Sequence, residues 1–382
     1  MSSPIAEPGA VRFRGLTWDH PRGRAALERS AVASAGLIAW DVHPLEGFES
    51  SPIDELAERY DVIVLDHPHL GDALATQSLR PLGELFDADW LASLDAASVG
   101  PSLASYRLDG ELWALPLDAA TQVAVMLPER VRSAPRTWAE VLELSYREPV
   151  ALSLAGPHAL LGFASLCVAL GEEPRDEPGA GFVSASTAEA AIALLRELAG
   201  RAPDGTDELN PIGLLERMRR ERDIAYVPLV YGYVNYAAGE GGLQFADAPA
   251  VTTGGRRGST IGGTGLAVSR RAAVDDELVA HLRWHLDPLT QSTFIPEHDG
   301  QPSSRRAWRD DHLNAASRSF YRSTLATIDD AWVRPRVAGF TAFQAAASAL
   351  VRSAVVDRDA AAEAVRELNH RYDALAREGV RR

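Results

Sequence analysis

The chain has 382 residues, of which 46% are hydrophobic and 24% are charged, and its formal net charge is −15. A soluble chain of this length folds as about two domains, each large enough to bury its own core. The acidic balance argues against a nucleic-acid partner or an anionic membrane surface, because both require a basic face.

The chain begins with MSSPIAEPGAVRFRG, which lacks the apolar segment and cleavage site of a secretory signal. No later run reaches the 18 or so uninterrupted apolar residues of a membrane span, so we expect none. We therefore expect a cytoplasmic protein, or a periplasmic or extracellular one if the natural chain extends upstream. The single cysteine, Cys167, excludes a disulfide within the chain and is interpreted as a small buried side chain.

Strand and helix patterns alternate over the first part of the chain. Residues 11–18 predict a strand followed by a helix, and residues 37–42 predict a second strand. Ser51 is the expected cap of a helix over 52–59, and the apolar run 61–65 predicts a buried strand. Such alternation predicts an α/β lobe with a mainly parallel sheet.

Polar side chains follow two of these strands. They are Trp18, Asp19 and His20 after the first strand, and Asp66, His67 and His69 after the third. Ligands of α/β proteins bind at the carboxyl ends of strands, so both groups are candidate ligand contacts. Asp19 is equally a candidate helix cap. The histidine pair could hold a metal, but Pro68 fixes the geometry between the rings and no fourth ligand is evident, so we predict no metal site.

The segment from Tyr106 to Leu127 carries the predicted crossing between two lobes. Asp109-Gly110 predicts a hairpin turn, and apolar strands are predicted on both sides of Pro116. Because proline cannot donate to a strand ladder, Pro116 marks an edge or a crossover. Asp118 lies in this crossing, either as a ligand contact or as a cap of the hinge.

Two capping boxes predict helices in the next part of the chain, at Thr137–Glu140 and at Ser186–Glu189. Strands are predicted at 150–154 and 224–228. His158 opens a helix after Gly-Pro, where free backbone N–H groups favour a polar oxygen, so it is a candidate ligand contact.

Alternation predicts that Tyr231, Tyr233 and Asn235 share one face of a strand that points into a cleft. The glycine-rich run Gly262–Gly265 precedes a strand rather than a helix, so it is not a dinucleotide fingerprint, and we predict no cofactor. Thr264 and Arg305 are also candidate ligand contacts, but a structural role is favoured for both. The last hundred or so residues predict helices.

Motifs along nearly the whole chain resemble, in order, those of the extracellular solute-binding proteins of ABC importers, in the carbohydrate-binding, maltose-binding-like branch. The motifs are Tyr60–Gly71, Tyr106–Leu127, Pro135–Glu140, Gly262–Ser269 and Arg334–Phe340. Each motif is weak alone, and the resemblance lies in their order and spacing. It implies the type II periplasmic-binding-protein fold, in which two mainly parallel α/β lobes close on a ligand about a hinge.

The resemblance implies that lobe 1 holds residues 10–115 and 256–306, that lobe 2 holds 120–255 and 307–382, and that 116–120 form the hinge. It also implies a cleft between the lobes, lined by the candidates Trp18, Asp19, His20, Asp66, His67, His69, Asp118, His158, Tyr231, Tyr233, Asn235, Thr264 and Arg305.

Two functions fit such a cleft. The favoured one is a binding protein for a sugar or another polar small molecule, with an ABC permease as partner if the chain is exported. Aromatic rings match the apolar faces of a sugar, and carboxylates accept its hydroxyl protons. The alternative is a cytoplasmic enzyme on the same scaffold, in which His67, His69, Asp66 and His20 are the acid–base groups.

Overall fold

The computed structural model describes residues 11–44, 51–239, 241–357 and 359–379, with only the backbone described at 378 and 379. The first ten residues, on which the prediction about a secretory signal depends, lie outside these ranges. The boundaries of the two lobes stay a prediction, and the names lobe 1 and lobe 2 are used below for the residues assigned to each.

The strands of the described ranges are short except at the crossover. They are β1 (Phe13–Trp18), β2 (Ile38–His43), β3 (Val62–Leu65), β4 (Arg107–Leu108), β5 (Glu111–Leu112), β6 (Ala114–Met126), β7 (Tyr226–Tyr231), β8 (Gln244–Ala246) and β9 (Ile261–Val268).

Helices surround these strands. Up to β7 they are α1 (Pro21–Ala33), α2 (Ile53–Arg59), α3 (Leu70–Ala75), α4 (Ala88–Ala97), α5 (Trp138–Ser145), α6 (His158–Ala169), α7 (Ala185–Ala199) and α8 (Pro211–Glu221). After β9 they are α9 (Asp276–His285), α10 (Pro288–Ser292), α11 (Phe294–Glu297), α12 (Arg305–Arg309), α13 (Asp311–Ala316), α14 (Phe320–Ser323), α15 (Leu325–Asp329), α16 (Phe340–Val356) and α17 (Ala361–Gly379).

One mixed sheet runs through the molecule in the order β2-β1-β3-β9-β6-β7, with β8 also paired to β6. The prediction of an α/β fold is confirmed. The prediction of a mainly parallel sheet is wrong, because among the described strands the parallel ladders are those of β1 with β2 and with β3. The pairings of β9 and β6 are antiparallel. The reason is that β6 and β9 carry the chain across the molecule in opposite directions.

The crossover is one continuous strand rather than two strands separated by Pro116. Every residue of β6 is buried, and the strand pairs with β9 over its first half and with β7 and β8 over its second. The ladder with β9 shifts register between Pro116 and Asp118. This irregularity accommodates the residue that lacks an N–H, so the proline does not end the strand.

The glycine-rich run lies inside β9, which begins earlier than predicted. Gly263 has a φ of +100°, and a Cβ there would meet the Asp118 carbonyl oxygen at 2.5 Å. A Cβ at Gly262 would lie 2.6 Å from the ring of Tyr231. The glycines therefore allow β9 to approach the crossover strand and a tyrosine ring closely.

Residues on opposite faces of β6 enter two hydrophobic clusters. Val123 and Val125 belong to the cluster that also buries β1, β3 and β9. Ala124 and Met126 belong to the cluster built on α6, α7, α16 and α17. Because neighbouring side chains of a strand point to opposite faces, one strand anchors both cores.

The structure confirms some of the predicted helix caps and not others. The capping box of Thr137 and Glu140 is confirmed. The cap of α7 is Ser184 rather than Ser186, and Ser51 makes no side-chain cap to α2. Of the strand predicted at 150–154, only Val150 pairs, with Tyr226. No helix within the described ranges has the length and apolar character needed to cross a bilayer.

Candidate ligand-binding cleft

The polar group after β3 is held by an arginine from the far end of the sequence. Asp66 lies directly after the buried strand, and its Oδ2 accepts a hydrogen bond from Arg334 Nη2 at 2.5 Å. The Arg334 side chain is 3% exposed, and its Nη1 also donates to Gln344 Oε1 at 3.1 Å. This ion pair joins lobe 1 to lobe 2 inside the cleft.

The two histidines after Asp66 are buried. The backbone N–H of Arg334 donates to His67 Nε2 at 3.3 Å, so a neutral His67 carries its proton on Nδ1, which lies 3.1 Å from Asp66 Oδ1. Burial, together with the charge of Arg334, lowers the pKa of His67 to about 4. Burial also lowers the pKa of His69. Both rings are therefore neutral at pH 7.

Burial alone would raise the pKa of Asp66, but the charge of Arg334 and the bond from His67 outweigh it. The pKa of the Asp66 carboxyl is accordingly held well below its usual range. Asp66 is thus an ionised acceptor at every physiological pH.

Beside this pair lies a small cavity, named here the strand-end cavity. Its volume is about 30 Å³, close to the space of one water molecule. Its walls come from both lobes: they are Asp66, Pro68, His69, Pro157, Leu161, Tyr231, Arg334, Thr341 and Gln344. Residues assigned to the two lobes therefore meet around this cavity.

His158 lies at the first position of α6, behind the strand-end cavity. Its ring is 5.9 Å from that of Tyr231, in an edge-on arrangement. Burial, with a smaller effect of Arg334, lowers the pKa of His158 to about 3. The Nδ1 atom is buried and makes no hydrogen bond within the described residues. His158 is not among the residues that line the strand-end cavity, although its neighbour Pro157 is, so its role as a ligand contact stays a prediction.

The group after β1 lies in a second part of the cleft. The Trp18 ring stacks on His20 with 5.4 Å between centroids, and the edge of Tyr233 from lobe 2 lies 4.9 Å from His20. His20, rather than Asp19, caps α1 through its Nδ1. Asp19 is exposed and pairs with Arg24 at 3.3 Å. These residues close the cleft by aromatic packing.

Asp118 is buried in the scaffold. Its Oδ2 accepts from Arg22 Nε at 2.5 Å, and its Oδ1 accepts from Thr264 N at 2.6 Å and Thr264 Oγ1 at 3.2 Å. Arg22 also donates to the Gly232 carbonyl and lies 4.6 Å from the Tyr233 ring. Asp118 therefore connects β6 to α1 through Arg22 and to β9 through Thr264.

The prediction that Tyr231, Tyr233 and Asn235 share one face is wrong. β7 ends at Tyr231, and a 3₁₀ turn over Val234–Tyr236 follows. Because the turn replaces two-residue alternation, Tyr231 lines the strand-end cavity and Tyr233 packs on Arg22 and His20. Asn235 lies elsewhere, hydrogen-bonded to Asp299 at 3.2 Å.

Arg305 lies outside the strand-end cavity. It makes a bidentate ion pair with Asp329, at 2.9 and 2.7 Å, and donates to the Ser98 carbonyl. Its role is to hold α12 against α15. Across the described ranges, no group of three or more histidine, cysteine or acidic side chains is arranged to hold a metal ion.

Sequence reasoning missed Arg334 and Gln344 as parts of the cleft. In the sequence, the segment around Arg334 carries only a family resemblance. One usable signal existed: Asp66 follows a fully apolar strand, and a carboxylate at such a site requires a cation from elsewhere in the chain. Nothing local identifies which of the many arginines supplies it.

The chain is similar in structure to solved solute-binding proteins. The maltose-bound MalE3 of T. maritima matches with a TM-score of 0.77 and 18% identity, covering 96% of this chain and 100% of that one. A ribitol-bound ABC transporter solute-binding protein from Agrobacterium radiobacter K84 also reaches 0.77 at 18% identity, covering 96% and 99%. A D-mannitol-bound solute-binding protein from Agrobacterium vitis S4 reaches 0.72 at 15% identity, covering 96% and 98%.

The chain thus has the two-lobe fold of the maltose-binding-like proteins. The resemblance noted in the sequence is confirmed at the level of the fold. No protein-family model matches the chain, and no curated protein matches its sequence. At such low identity the likeness establishes the fold, and the ligand must be argued from the cleft itself.

Proposed function

We propose that this chain is the substrate-binding component of an ABC importer and that its lobes close on a small polar solute of the sugar or polyol class. One observation carries the proposal: the strand-end cavity brings an ionised aspartate of lobe 1 against a tyrosine and an arginine of lobe 2. Structures with this fold hold maltose, ribitol and D-mannitol.

The chemistry of the walls suits such a solute. The ring of Tyr231 offers an apolar face for C–H groups, Asp66 accepts hydrogen bonds from hydroxyls, and Arg334 donates to them. Since the closed cavity has only about 30 Å³, the solute enters when the lobes separate. With a solute bound, the lobes stay further apart than in this structure, and the solute hydroxyls bond to Asp66 and Arg334 across the gap.

The importer role carries two further proposals. The first is a permease partner that receives the solute, and the second is a location outside the cytoplasmic membrane, in place of the cytoplasmic expectation. Fractionation of cells that express the natural gene, followed by detection of the protein, tests the location. An enzyme on this scaffold has no comparable support, since Asp66 is ion-paired and His67 is buried against Arg334.

The test is a thermal-shift and calorimetric screen of maltose, ribitol and D-mannitol with the purified protein. We expect at least one to raise the melting temperature by mass action. Tyr231→Ala should remove the shift, and Tyr146→Ala, which changes a tyrosine that is 67% exposed, should retain it. Each variant is compared with its own ligand-free melting temperature. A shift that survives Tyr231→Ala, or no shift with sugars and polyols at millimolar concentration, would contradict the proposal.

A further inference from the structure

A larger cavity lies apart from the strand-end cavity and shares none of its lining residues. Its volume is about 300 Å³, which is in the range of small-molecule sites. One wall is the stretch from Ser292 to Gly300 in lobe 1, and the other comes from residues 234–238 and 312–321 in lobe 2. We name it the second cavity.

The interior of the second cavity is mainly apolar. Val234, Pro296, Leu313 and Tyr321 contribute carbon surface, and Leu313 and Tyr321 are buried in the fold behind it. An occupant with an apolar body, such as an aromatic ring or a short alkyl chain, would remove this surface from water.

Three hydroxyls at the second cavity already use their protons, because Ser292, Thr293 and Ser317 each donate to a nearby backbone carbonyl. Asn235 Nδ2 donates to the Asp299 backbone carbonyl and to its Oδ1, both at 3.2 Å, which leaves Asn235 Oδ1 buried and without a partner in the described chain. The carboxylates of Glu297 and Asp299 also line the cavity. No arginine lines it, and the chain contains no lysine. His312 is the only lining side chain that could carry a positive charge.

Acceptors and carboxylates without a matching cation favour an occupant that donates hydrogen bonds and carries positive charge. We propose that the second cavity binds a small organic amine, with its apolar body against Val234, Pro296 and Leu313 and its ammonium group toward Glu297 and Asp299. The site does not depend on what the strand-end cavity binds.

The test uses three compounds that share one apolar body: 2-phenylethylamine, 2-phenylethanol and phenylacetate. Binding to the full chain is measured by calorimetry and by ligand-observed NMR at low ionic strength, where exposed charges act most strongly. We expect 2-phenylethylamine to bind most tightly, 2-phenylethanol more weakly and phenylacetate not at all.

Two alanines at the end of α13 provide a matched pair. Ala316 lines the cavity and Ala315 does not, and both are exposed. Ala316→Trp fills the cavity and should abolish binding of 2-phenylethylamine, whereas Ala315→Trp should leave it unchanged. Circular dichroism and melting temperature confirm that both variants fold.

A second variant tests the charge preference without filling the cavity. Glu297→Gln combined with Asp299→Asn should weaken binding of 2-phenylethylamine about tenfold, as expected for the loss of two partly exposed ion pairs, and leave 2-phenylethanol unaffected. Asn tolerates the φ of 63° found at Asp299. Three results would overturn the proposal: no binding of any compound at millimolar concentration, equal binding of all three, or binding that survives Ala316→Trp.

Discussion

Two buried ion pairs, Arg22 with Asp118 and Arg334 with Asp66, have the same composition and different surroundings. Arg22 and Asp118 have side chains that are each 4% exposed, and the second carboxylate oxygen of Asp118 is bonded to Thr264. Arg334 is equally buried at 3%, but Asp66 retains 19% exposure and faces the strand-end cavity. One pair lies inside the scaffold and the other lies in the cleft.

The difference shows that the position of a charge pair in the fold decides its role. Asp118 sits on the crossover strand, and both of its carboxylate oxygens are already bonded within the fold, to Arg22 and to Thr264. Asp66 and Arg334 belong to different lobes in the predicted division, so on the proposed function opening of the cleft would separate them and free their hydrogen bonds for water or a solute. A buried pair that must remain intact is structural, whereas one that can exchange partners can serve binding.

The largest expected effect comes from breaking the scaffold pair. Arg22→Met leaves the Asp118 carboxylate buried without its cation, and we expect the free energy of unfolding to fall by about 3–5 kcal/mol. Urea denaturation measures it. The control is Arg322→Met, which breaks an exposed pair with Asp311 and should cost less than about 1 kcal/mol. Equal losses of unfolding free energy in Arg22→Met and Arg322→Met would show that burial does not make the Arg22–Asp118 pair more important than an exposed one.

The next effect depends on pH and concerns the cleft. Burial lowers the pKa of His67 from 6.5 to about 4, so the folded state binds fewer protons than the unfolded state in that interval. Stability is therefore full above pH 6.5 and is lost as the pH falls toward 4. His67→Gln should reduce this loss by on the order of 3 kcal/mol.

Urea midpoints of the His67→Gln variant and the unmodified protein at pH 7 and pH 4.5 provide the measurement. His370→Gln, at a side chain that is 69% exposed, is the matched control and should leave the pH dependence unchanged. If His67→Gln keeps the full pH dependence, the ring is not the neutral, buried partner of Arg334 described above.

A smaller effect is expected where the segment after Arg334 contacts lobe 1. A Cβ at Gly71 would lie 2.3 Å from the backbone carbon of Val337, and the neighbouring Asp72 accepts from Gly339 N at 2.8 Å. Gly71→Ala should cost about 2 kcal/mol by overpacking. Gly83→Ala, where the nearest atom is 3.4 Å away, should cost much less. A melting-temperature comparison of the two variants tests this contact.

The smallest loss of stability is expected from the cleft pair itself. Arg334→Met should cost about 1–2 kcal/mol, because Asp66 gains water when the lobes separate. The same variant should raise the radius of gyration measured by small-angle X-ray scattering, whereas Arg322→Met, which breaks an exposed pair inside lobe 2, should not. A folded Arg334→Met protein with an unchanged radius would show that this pair does not hold the lobes together.

Features that depend on near neighbours in the chain could be predicted from the sequence. The buried strand before Asp66 and the capping box of Thr137 and Glu140 are both found. The physical reason is that burial pattern, caps and turns act over a few residues. The order of weak motifs along the chain also indicated the fold.

Other local signals were misleading where distant contacts decided the outcome. Pro116 does not end β6, because pairing with β9 and a register shift support the strand. The alternation of Tyr231, Tyr233 and Asn235 fails, because the chain turns as it meets lobe 1. Local propensity is weaker than the burial and hydrogen bonding that tertiary contacts provide.

By itself, the sequence determined the α/β class, the two-lobe fold and the presence of polar groups after β1 and β3, since these follow from local periodicity and motif order. Only the tertiary structure decided that Arg334 holds Asp66, that Asp118 belongs to the scaffold and that Asn235 faces a different cavity. These contacts join residues far apart in the chain. The packing of the lobes determines which of the many arginines and tyrosines makes each contact. The partner of a buried charge is therefore a property of the folded molecule.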